Sequence, residues 1–231
     1  MTGLGEEWSN IITTLSKLSS YYRELNNTIS FGLDMKIRRE AIEKSLKAPR
    51  IVLDLGSGDG CLTEIVVERF PHISLVVMLD VLPEMLRKAR RIQNVERVQA
   101  VFEYLPFRRS VFDHVLAAFS LRDALNLEKA LDEIDKVLAD HGRLIVIDLG
   151  KPDNCLKRFL TSFYWTVIAP IYAFIRLGSK GLVSMKIRET LKSYPTTRRL
   201  LQVYDKYFRQ VKLVEKFIGF IIVIEASKSL V

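Results

Sequence analysis

The stretch Val52-Leu53-Asp54-Leu55-Gly56-Ser57-Gly58-Asp59-Gly60 decides the fold of this 231-residue chain. It joins a short apolar run, Ile51–Leu55, to three glycines within five residues. Such a run is typical of a strand buried in a parallel sheet. Glycines permit the positive φ angles and the close backbone approach that a ligand-binding turn requires. A helix predicted over 62–70 would point its free N–H groups at the ligand, so the stretch predicts the site of an adenosine-type cofactor.

Two adenosine cofactors suit such a turn, and two residues distinguish them. The dinucleotide fingerprint G-x-G-x-x-G requires glycine at position 61, which is Cys61 here. Asp54 would repel a pyrophosphate, whereas it suits the ammonium and sulfonium end of S-adenosylmethionine. Asp80 ends the next predicted strand, where it can accept hydrogen bonds from both ribose hydroxyls of either cofactor. The pattern favours S-adenosylmethionine, with a purely structural glycine turn as the alternative.

Predicted strands and helices alternate through the first 150 residues. Strands are expected at 51–55, 74–79, 97–101, 111–118 and 143–149, and helices at 6–20, 33–47, 62–70, 83–92 and 127–138. Two short helices (185–192 and 196–209) and two strands (211–217 and 220–226) are expected near the end. The alternation predicts a Rossmann-like α/β fold, with a mostly parallel central sheet and helices on both faces.

An uncharged, mostly apolar run spans residues 159–175, after the fifth predicted strand. At about 1.5 Å per residue it would reach roughly 25 Å, short of the roughly 30 Å of bilayer hydrocarbon. Pro170 would also kink or break this helix. We therefore expect a buried helix or an interfacial apolar cover rather than a membrane span. The chain is interpreted as one domain, with N-terminal helices (1–48), a cofactor-binding core (49–150), a substrate cover (151–210) and closing strands (211–227).

Composition limits the class of protein. Hydrophobic residues make up 48% of the chain and charged residues 27%, which excludes disordered and collagen-like chains. Two cysteines are too few for a disulfide framework or a thiolate zinc site, and the sequence shows no metal-ligand motif. The polar, acidic start does not resemble a signal peptide, so a cytoplasmic protein is expected.

Positive charge is concentrated in the last third of the chain. Residues 151–231 contain 15 Lys and Arg against 5 Asp and Glu, a net +10, whereas residues 1–150 carry a net −2. This asymmetry indicates attraction to an anionic surface, namely membrane headgroups, nucleic acid or an acidic partner, although a solvated basic face without a partner stays open. Of these, we favour peripheral attachment at the inner face of the membrane. Nucleic acid is disfavoured, because the aromatic residues stand in an uncharged block rather than among Lys and Arg. A homo-oligomer interface is a further interpretation of those aromatics.

Several segments together resemble a known family. Residues 52–60 resemble motif I of class I S-adenosylmethionine-dependent methyltransferases, and Asp80 resembles the end of their second strand. More narrowly, residues 22–227 resemble the UbiE family of quinone-ring C-methyltransferases. This resemblance is carried by Tyr22 and Asn26, Ser30-Phe31-Gly32, Gln99-Ala100, Glu103, Leu105-Pro106-Phe107, Phe119-Ser120-Leu121-Arg122-Asp123, Lys151-Pro152 and residues 219–226.

The resemblance implies methyl transfer to a ring carbon of a prenylated, quinone-type small molecule, with another small molecule or lipid, or a nucleic acid, as alternative substrates. The expected S-adenosylmethionine contacts are Tyr22, Asp54, Gly56, Ser57, Gly58, Gly60, Asp80, Val81, Glu103 and Phe119. Arg122 would stabilise a phenolate and Asp123 would act as a base, unless the pair forms a structural salt bridge or a helix cap.

Four residues depart from the family pattern, namely Arg23, Val101, Ser120 and Asp123. Val101 stands where the family commonly has Asp or Asn, so adenine would need a backbone partner or Glu103 instead. Apolar residues of the run 159–175 could wall the site for a prenylated ring: Phe159, Phe163, Tyr164, Trp165, Ile171, Tyr172 and Phe174. The cations expected to hold this wall against anionic headgroups are Lys157, Arg158, Arg176 and Lys180.

Overall fold

A seven-stranded sheet organises the protein, with the strand order β3-β2-β1-β4-β5-β7-β6 in the computed structural model. The structure describes residues 3–228, apart from the side chain of Arg188. The strands are β1 (Ile51–Leu55), β2 (Leu75–Asp80), β3 (Val95–Gln99), β4 (Phe112–Ala118), β5 (Leu138–Leu149), β6 (Phe208–Lys216) and β7 (Ile221–Lys228). The first five strands are parallel, and β7 lies antiparallel between β5 and β6. The predicted Rossmann-like α/β fold is confirmed.

Helices cover both faces of this sheet. They are α1 (Trp8–Leu18), α2 (Tyr22–Ile29), α3 (Leu33–Ser45), α4 (Cys61–Arg69), α5 (Pro83–Lys88), α6 (Leu127–Val137), α7 (Cys155–Phe163), α8 (Ala169–Leu177), α9 (Lys186–Ser193) and α10 (Thr197–Tyr204). Buried side chains of α6 and α10 form one core with the sheet. Those of α2, α3, α4 and α8 form a second core on the other side.

The strand order reverses between β1 and β4, which are direct neighbours. In open α/β sheets, ligands bind outside the carboxyl ends of the strands at this switch point. The glycine turn follows β1, and the segment Phe119-Ser120-Leu121-Arg122-Asp123 follows β4. Both segments singled out in the sequence therefore lie at the same edge of the sheet.

The apolar run after β5 forms the expected helical cover, but Pro170 does not break it. The five residues Tyr164–Ile168 make a π-helical turn, in which the N–H of Ala169 donates to the carbonyl of Tyr164. Pro170 then falls in the first turn of α8, where a missing N–H is tolerated. The π turn is the local adjustment that lets the helix continue through the proline.

One side of the cover packs on the protein and the other side does not. Trp165, Ala169 and Ala173 are buried against the second core. In the described part of the chain, the helical stretch Cys155–Ser193 is the one element whose length and composition would allow it to cross a membrane, and 28% of its most apolar window is buried.

Several boundaries differ from those predicted. Residues Tyr22–Ile29 form a separate helix that the patterns do not predict, because two Asn and a Thr give it low helix propensity. Strand β5 begins at Leu138 rather than at 143, with a register shift opposite Phe112 and His114. Strand β6 begins at Phe208 rather than at 211, since Phe208 already pairs with Lys228 of β7.

Candidate active site

The glycine turn leaves β1 and enters α4 through Gly60. Gly56, Gly58 and Gly60 have φ angles of 65°, 57° and 88°, which other residues rarely adopt. Gly56 also has no room for a side chain, since an added Cβ would lie 2.4 Å from the Cβ of Ser120. The Ser120 hydroxyl donates to the carbonyl oxygen of Leu55 at 2.7 Å. The turn is thus held tightly against the residues that follow β4.

Asp80 lies beside the turn at the end of β2 and is 9% exposed. One of its carboxylate oxygens accepts a hydrogen bond from the N–H of Gly58 and the other from that of Leu82, both at 2.9 Å. Burial raises the pKa of this carboxyl, and the two N–H groups oppose the rise. Because each carboxylate oxygen can accept more than one hydrogen bond, Asp80 can still bind a diol.

A cleft of about 900 Å³ opens at the carboxyl ends of β1, β2 and β4. Its size is that of a small-molecule site, and helices α1, α2 and α3 contribute its opposite wall. Nine of the twelve predicted site residues line it: Tyr22, Gly56, Ser57, Gly58, Asp80, Val81, Glu103, Phe119 and Asp123. The structure brings these residues together, and their contacts with a cofactor stay predictions.

Asp54 and Gly60 lie behind the turn and do not line the cleft. Asp54 is 1% exposed and accepts a hydrogen bond from the hydroxyl of Thr63 on α4 at 2.7 Å. Burial raises the pKa of Asp54 to about 6. Asp54 thus lies outside the cleft in this structure, and its expected contact with the positive end of the cofactor stays a prediction. The side chain is enclosed beneath the turn, where it connects β1 to α4.

Val101 and Glu103 follow β3 and line the cleft. The cleft wall is thus apolar at position 101, where the family described above commonly has Asp or Asn. Glu103 is 2% exposed, and its Oε1 accepts a hydrogen bond from the N–H of Asn126 at 3.0 Å. Its second oxygen is an acceptor for the adenine amine, and this contact stays a prediction.

A second cavity of about 930 Å³ adjoins the cleft beneath the cover and is lined mainly by apolar side chains. Tyr164 and Trp165 line it, as expected for two of the seven residues predicted to wall the site. The other five do not, because helical periodicity places them elsewhere on the cover: Phe159, Phe163, Ile171 and Phe174 are exposed, and Tyr172 stacks on Phe31. We call this space the apolar cavity.

Four residues line both the cleft and the apolar cavity: Tyr22, Asn26, Asp34 and Phe119. We call this set the junction. Phe119 has an unusual φ of 60°, while its N–H donates to the carbonyl of Ile147 at 2.7 Å. Its ring lies 4.9 Å from the guanidinium carbon of Arg38. Molecules bound on the two sides would meet at the junction.

Arg122 and Asp123 form a short 3₁₀ turn after β4, and both are buried. Arg122 donates from Nη1 to Oδ1 of Asp148 at 2.8 Å and from Nε to the hydroxyl of Thr190 at 3.3 Å. Arg122 is thus held in a buried ion pair with Asp148, and its Nε also lies 3.6 Å from Oδ1 of Asp123, as in the predicted salt bridge of the pair. Arg122 lines the apolar cavity and not the cleft, and its catalytic role stays a prediction. Burial raises the pKa of Asp123 to about 6, and its Oδ1 has no hydrogen-bond partner among the described residues.

Two polar residues of α3 at this site are not predicted by the sequence patterns. Asp34 and Arg38 are 5% and 6% exposed, and both line the cleft. Within residues 3–228, neither Oδ1 of Asp34 nor Nε of Arg38 has a hydrogen-bond partner. Asp34 lies three positions before Ile37 and Arg38 three positions before Ala41, so both lie on the apolar stripe of α3. That placement is the pattern that could have identified them, because a charge on an apolar stripe is rarely accidental.

The chain has clear relatives. The model of the ubiE/COQ5 methyltransferase family matches residues 1–228. The chain is 33% identical to a demethylmenaquinone methyltransferase of Thermus thermophilus, over 80% of this chain and 86% of that one. It is 28% identical to the ubiquinone/menaquinone biosynthesis C-methyltransferase UbiE of Wigglesworthia glossinidia brevipalpis, over 86% and 82%.

Solved structures share the fold at lower identity. A SAM-dependent methyltransferase from Aquifex aeolicus aligns with a TM-score of 0.60 and 18% identity, over 85% of this chain and 92% of that one. The plantazolicin methyltransferase BpumL, solved in complex with SAH, aligns with a TM-score of 0.66 and 13% identity, over 93% and 90%.

Proposed function

The chain belongs to the ubiE/COQ5 methyltransferase family, and we propose that it transfers the methyl group of S-adenosylmethionine to a ring carbon of a prenylated quinone precursor. The observation that carries this proposal is the junction, where a cleft lined by several charged side chains meets a largely apolar cavity. The relatives named above supply the acceptor class, since they act in menaquinone and ubiquinone biosynthesis.

The residues of the cleft fit S-adenosylmethionine. Asp80 would accept hydrogen bonds from the ribose diol, and the N–H groups of the glycine turn would face the methionine end. Four side chains that line the cleft each have a buried polar atom without a partner among residues 3–228: Asp34, Arg38, Ser57 and Asp123. Arg38 is a suitable partner for the carboxylate of the methionine moiety. When bound, S-adenosylmethionine supplies an activated methyl group on a sulfonium.

The apolar cavity fits the acceptor. Its aromatic and aliphatic lining would hold a hydrophobic ring and the first part of a prenyl tail, and would exclude water from the junction. Tyr22, Asn26 and Phe119 would orient the ring so that one carbon faces the methyl group, since alignment is the main demand of a displacement at carbon.

The direct test is methylation by the purified protein. With S-adenosylmethionine and a prenylated 1,4-naphthohydroquinone, we expect a product heavier by one CH₂, located on a ring carbon by tandem mass spectrometry. The unprenylated hydroquinone should react with a higher KM, because it leaves the apolar cavity partly empty. A protein that methylates a different lipid or small molecule, and neither hydroquinone, would contradict the proposal.

We further propose that the cover attaches the protein to the cytoplasmic face of a membrane. Exposed apolar residues run along its outer side, at Leu156, Phe159, Leu160, Phe163, Ile168, Ile171, Phe174 and Ile175. Phe31 and Phe217 are about half exposed and also line the apolar cavity, so a lipid-dissolved tail could enter there. Arg176 is exposed beside this surface, consistent with attraction to anionic headgroups.

Co-sedimentation with vesicles tests the attachment. Wild-type protein should sediment with vesicles of anionic lipid at low salt, and less at high salt. The double variant F159S/F174S should lose most of this binding, because both rings are exposed on the cover. Tyr104→Ser is the matched control, since Tyr104 is 66% exposed but lies outside the cover. Equal binding by the two variants, or none by wild type, would refute attachment through this surface.

A further inference from the structure

We propose that Asp34 is a catalytic residue that accepts the proton of the acceptor's ring hydroxyl, an inference that rests on the proposed function. Asp34 stands in the first turn of α3, two residues after Gly32, whose φ is 77°. The N–H of Asp34 donates to the hydroxyl oxygen of Ser30 at 3.2 Å, which anchors this turn. The carboxyl group is therefore carried on a fixed backbone.

The side chain of Asp34 is buried without the partners that a carboxylate needs. It is 5% exposed, and its Oδ1 has no hydrogen bond to any residue within 3–228. Arg38, one turn further along α3, places its guanidinium over the ring of Phe119 instead of pairing with Asp34. A buried carboxylate with an unused oxygen is costly, and such a cost is usually retained where a ligand supplies the missing partner.

The position of Asp34 indicates that this ligand is the methyl acceptor rather than the cofactor. Five acidic residues line the cleft, but Asp34 is the one described acid that also lines the apolar cavity. Asp123, the base expected from the sequence, lines the cleft and not the apolar cavity. Arg122 does reach the apolar cavity, but it is engaged with Asp148. A ring hydroxyl in the apolar cavity would thus lie against the side chain of Asp34 rather than that of Asp123.

The chemistry requires a base at this place. The hydroxyl proton moves to Asp34, and electron density from the phenolate oxygen makes the neighbouring ring carbon nucleophilic. That carbon forms a bond to the methyl carbon while the carbon–sulfur bond breaks and leaves its electron pair on sulfur. The ring carbon then loses its own hydrogen as a proton to solvent, and Asp34 returns its proton to the oxygen. One proton is released in total, and no oxidant or reductant is consumed.

The test is Asp34→Asn, which keeps the shape and removes the base. With a prenylated hydroquinone we expect kcat to fall by about 10²–10⁴-fold, the range typical of a lost general base. Affinity for S-adenosylmethionine, measured by calorimetry, should stay within about threefold of wild type. The matched control is Asp135→Asn on α6, whose Oδ1 is also buried without a partner but lies outside both cavities.

A second substrate distinguishes a base from a residue that only shapes the site. In this substrate the hydroxyl next to the methylated ring carbon is converted to a methyl ether. It has no proton for Asp34 to take, so wild type and Asp34→Asn should react at equal, slow rates. Asp34→Glu keeps a carboxylate at position 34, so it should retain more activity than Asp34→Asn. This variant also shows whether the position tolerates a change of side chain.

Three results would overturn the assignment: wild-type kcat in Asp34→Asn, an equal loss with both acceptors, or a tenfold loss of S-adenosylmethionine affinity, which would assign Asp34 to the cofactor. Failure of the proposed function is distinguishable, because wild-type protein would then methylate no hydroquinone, and the inference would fall with it.

Discussion

Replacing Gly56 by alanine tests the close approach on which the cofactor turn depends. The added Cβ would lie 2.4 Å from the Cβ of Ser120, whereas carbon atoms normally approach to about 3.5–4.0 Å. Overpacking of this kind costs about 1–3 kcal/mol, and a left-handed φ of 65° adds about 1–2 kcal/mol for alanine. We therefore expect Gly56→Ala to lower the free energy of unfolding by about 2–5 kcal/mol.

A double-mutant cycle isolates the steric part of this cost. Ser120→Gly removes the opposing Cβ, so Gly56→Ala should be about 1–3 kcal/mol less destabilising in that background. Ser120→Ala is the matched control, because it removes the hydrogen bond to Leu55 but keeps the Cβ. Urea unfolding followed by circular dichroism gives the four free energies of each cycle. Equal coupling for Ser120→Gly and Ser120→Ala would refute the reasoning, as would an unchanged stability of Gly56→Ala.

Three further predictions follow from buried carboxylates. Asp80→Ala should weaken S-adenosylmethionine binding by about tenfold or more in calorimetry, and undiminished affinity would contradict the ribose assignment. Burial raises the pKa of Asp54 from 3.8 to about 6, so between pH 3.8 and 6 the Asp54 carboxyl is protonated in the folded state and ionised in the unfolded state. Wild-type stability should therefore fall by about 3 kcal/mol relative to Asp54→Asn as the pH rises from 4 to 7, and parallel profiles would exclude the shift. Arg122→Ala leaves Asp148 buried and unpaired, so the free energy of unfolding should fall by about 3–5 kcal/mol. The double variant R122A/D148N should recover part of this loss, and no recovery would argue against the ion pair.

The core of the fold could be predicted because its residues obey local rules. The amphipathic helix after Asn126 has a helical periodicity, and the strands before Gly56 and after Gly219 are near-continuous apolar runs, as expected for buried strands. Asp80 could be placed at the ligand edge because parallel strands end together. These arguments need only neighbours in sequence and the rule for sheet topology.

The remaining parts of the site depend on contacts between distant segments. Asp34 and Tyr22 reach the junction because α2 and α3 fold across the carboxyl edge of the sheet, which no periodicity encodes. Asp54 follows the family motif, yet its hydrogen bond to Thr63 turns it away from the cleft. Pro170 fails as a helix breaker because the π turn before it changes the backbone register. Each of these outcomes is decided by tertiary packing rather than by the local sequence.

The insertion of β7 between β5 and β6 has a consequence for synthesis on the ribosome. Strand β6 is made before β7, yet it pairs with the sheet only through β7. A nascent chain that has just completed β6 therefore has β5 as an open sheet edge, with the whole apolar cover already translated. Such an intermediate exposes both an unpaired strand and a hydrophobic helix, the features that chaperones and lipid surfaces bind. The chain therefore exposes its cover to such binders before the sheet is complete.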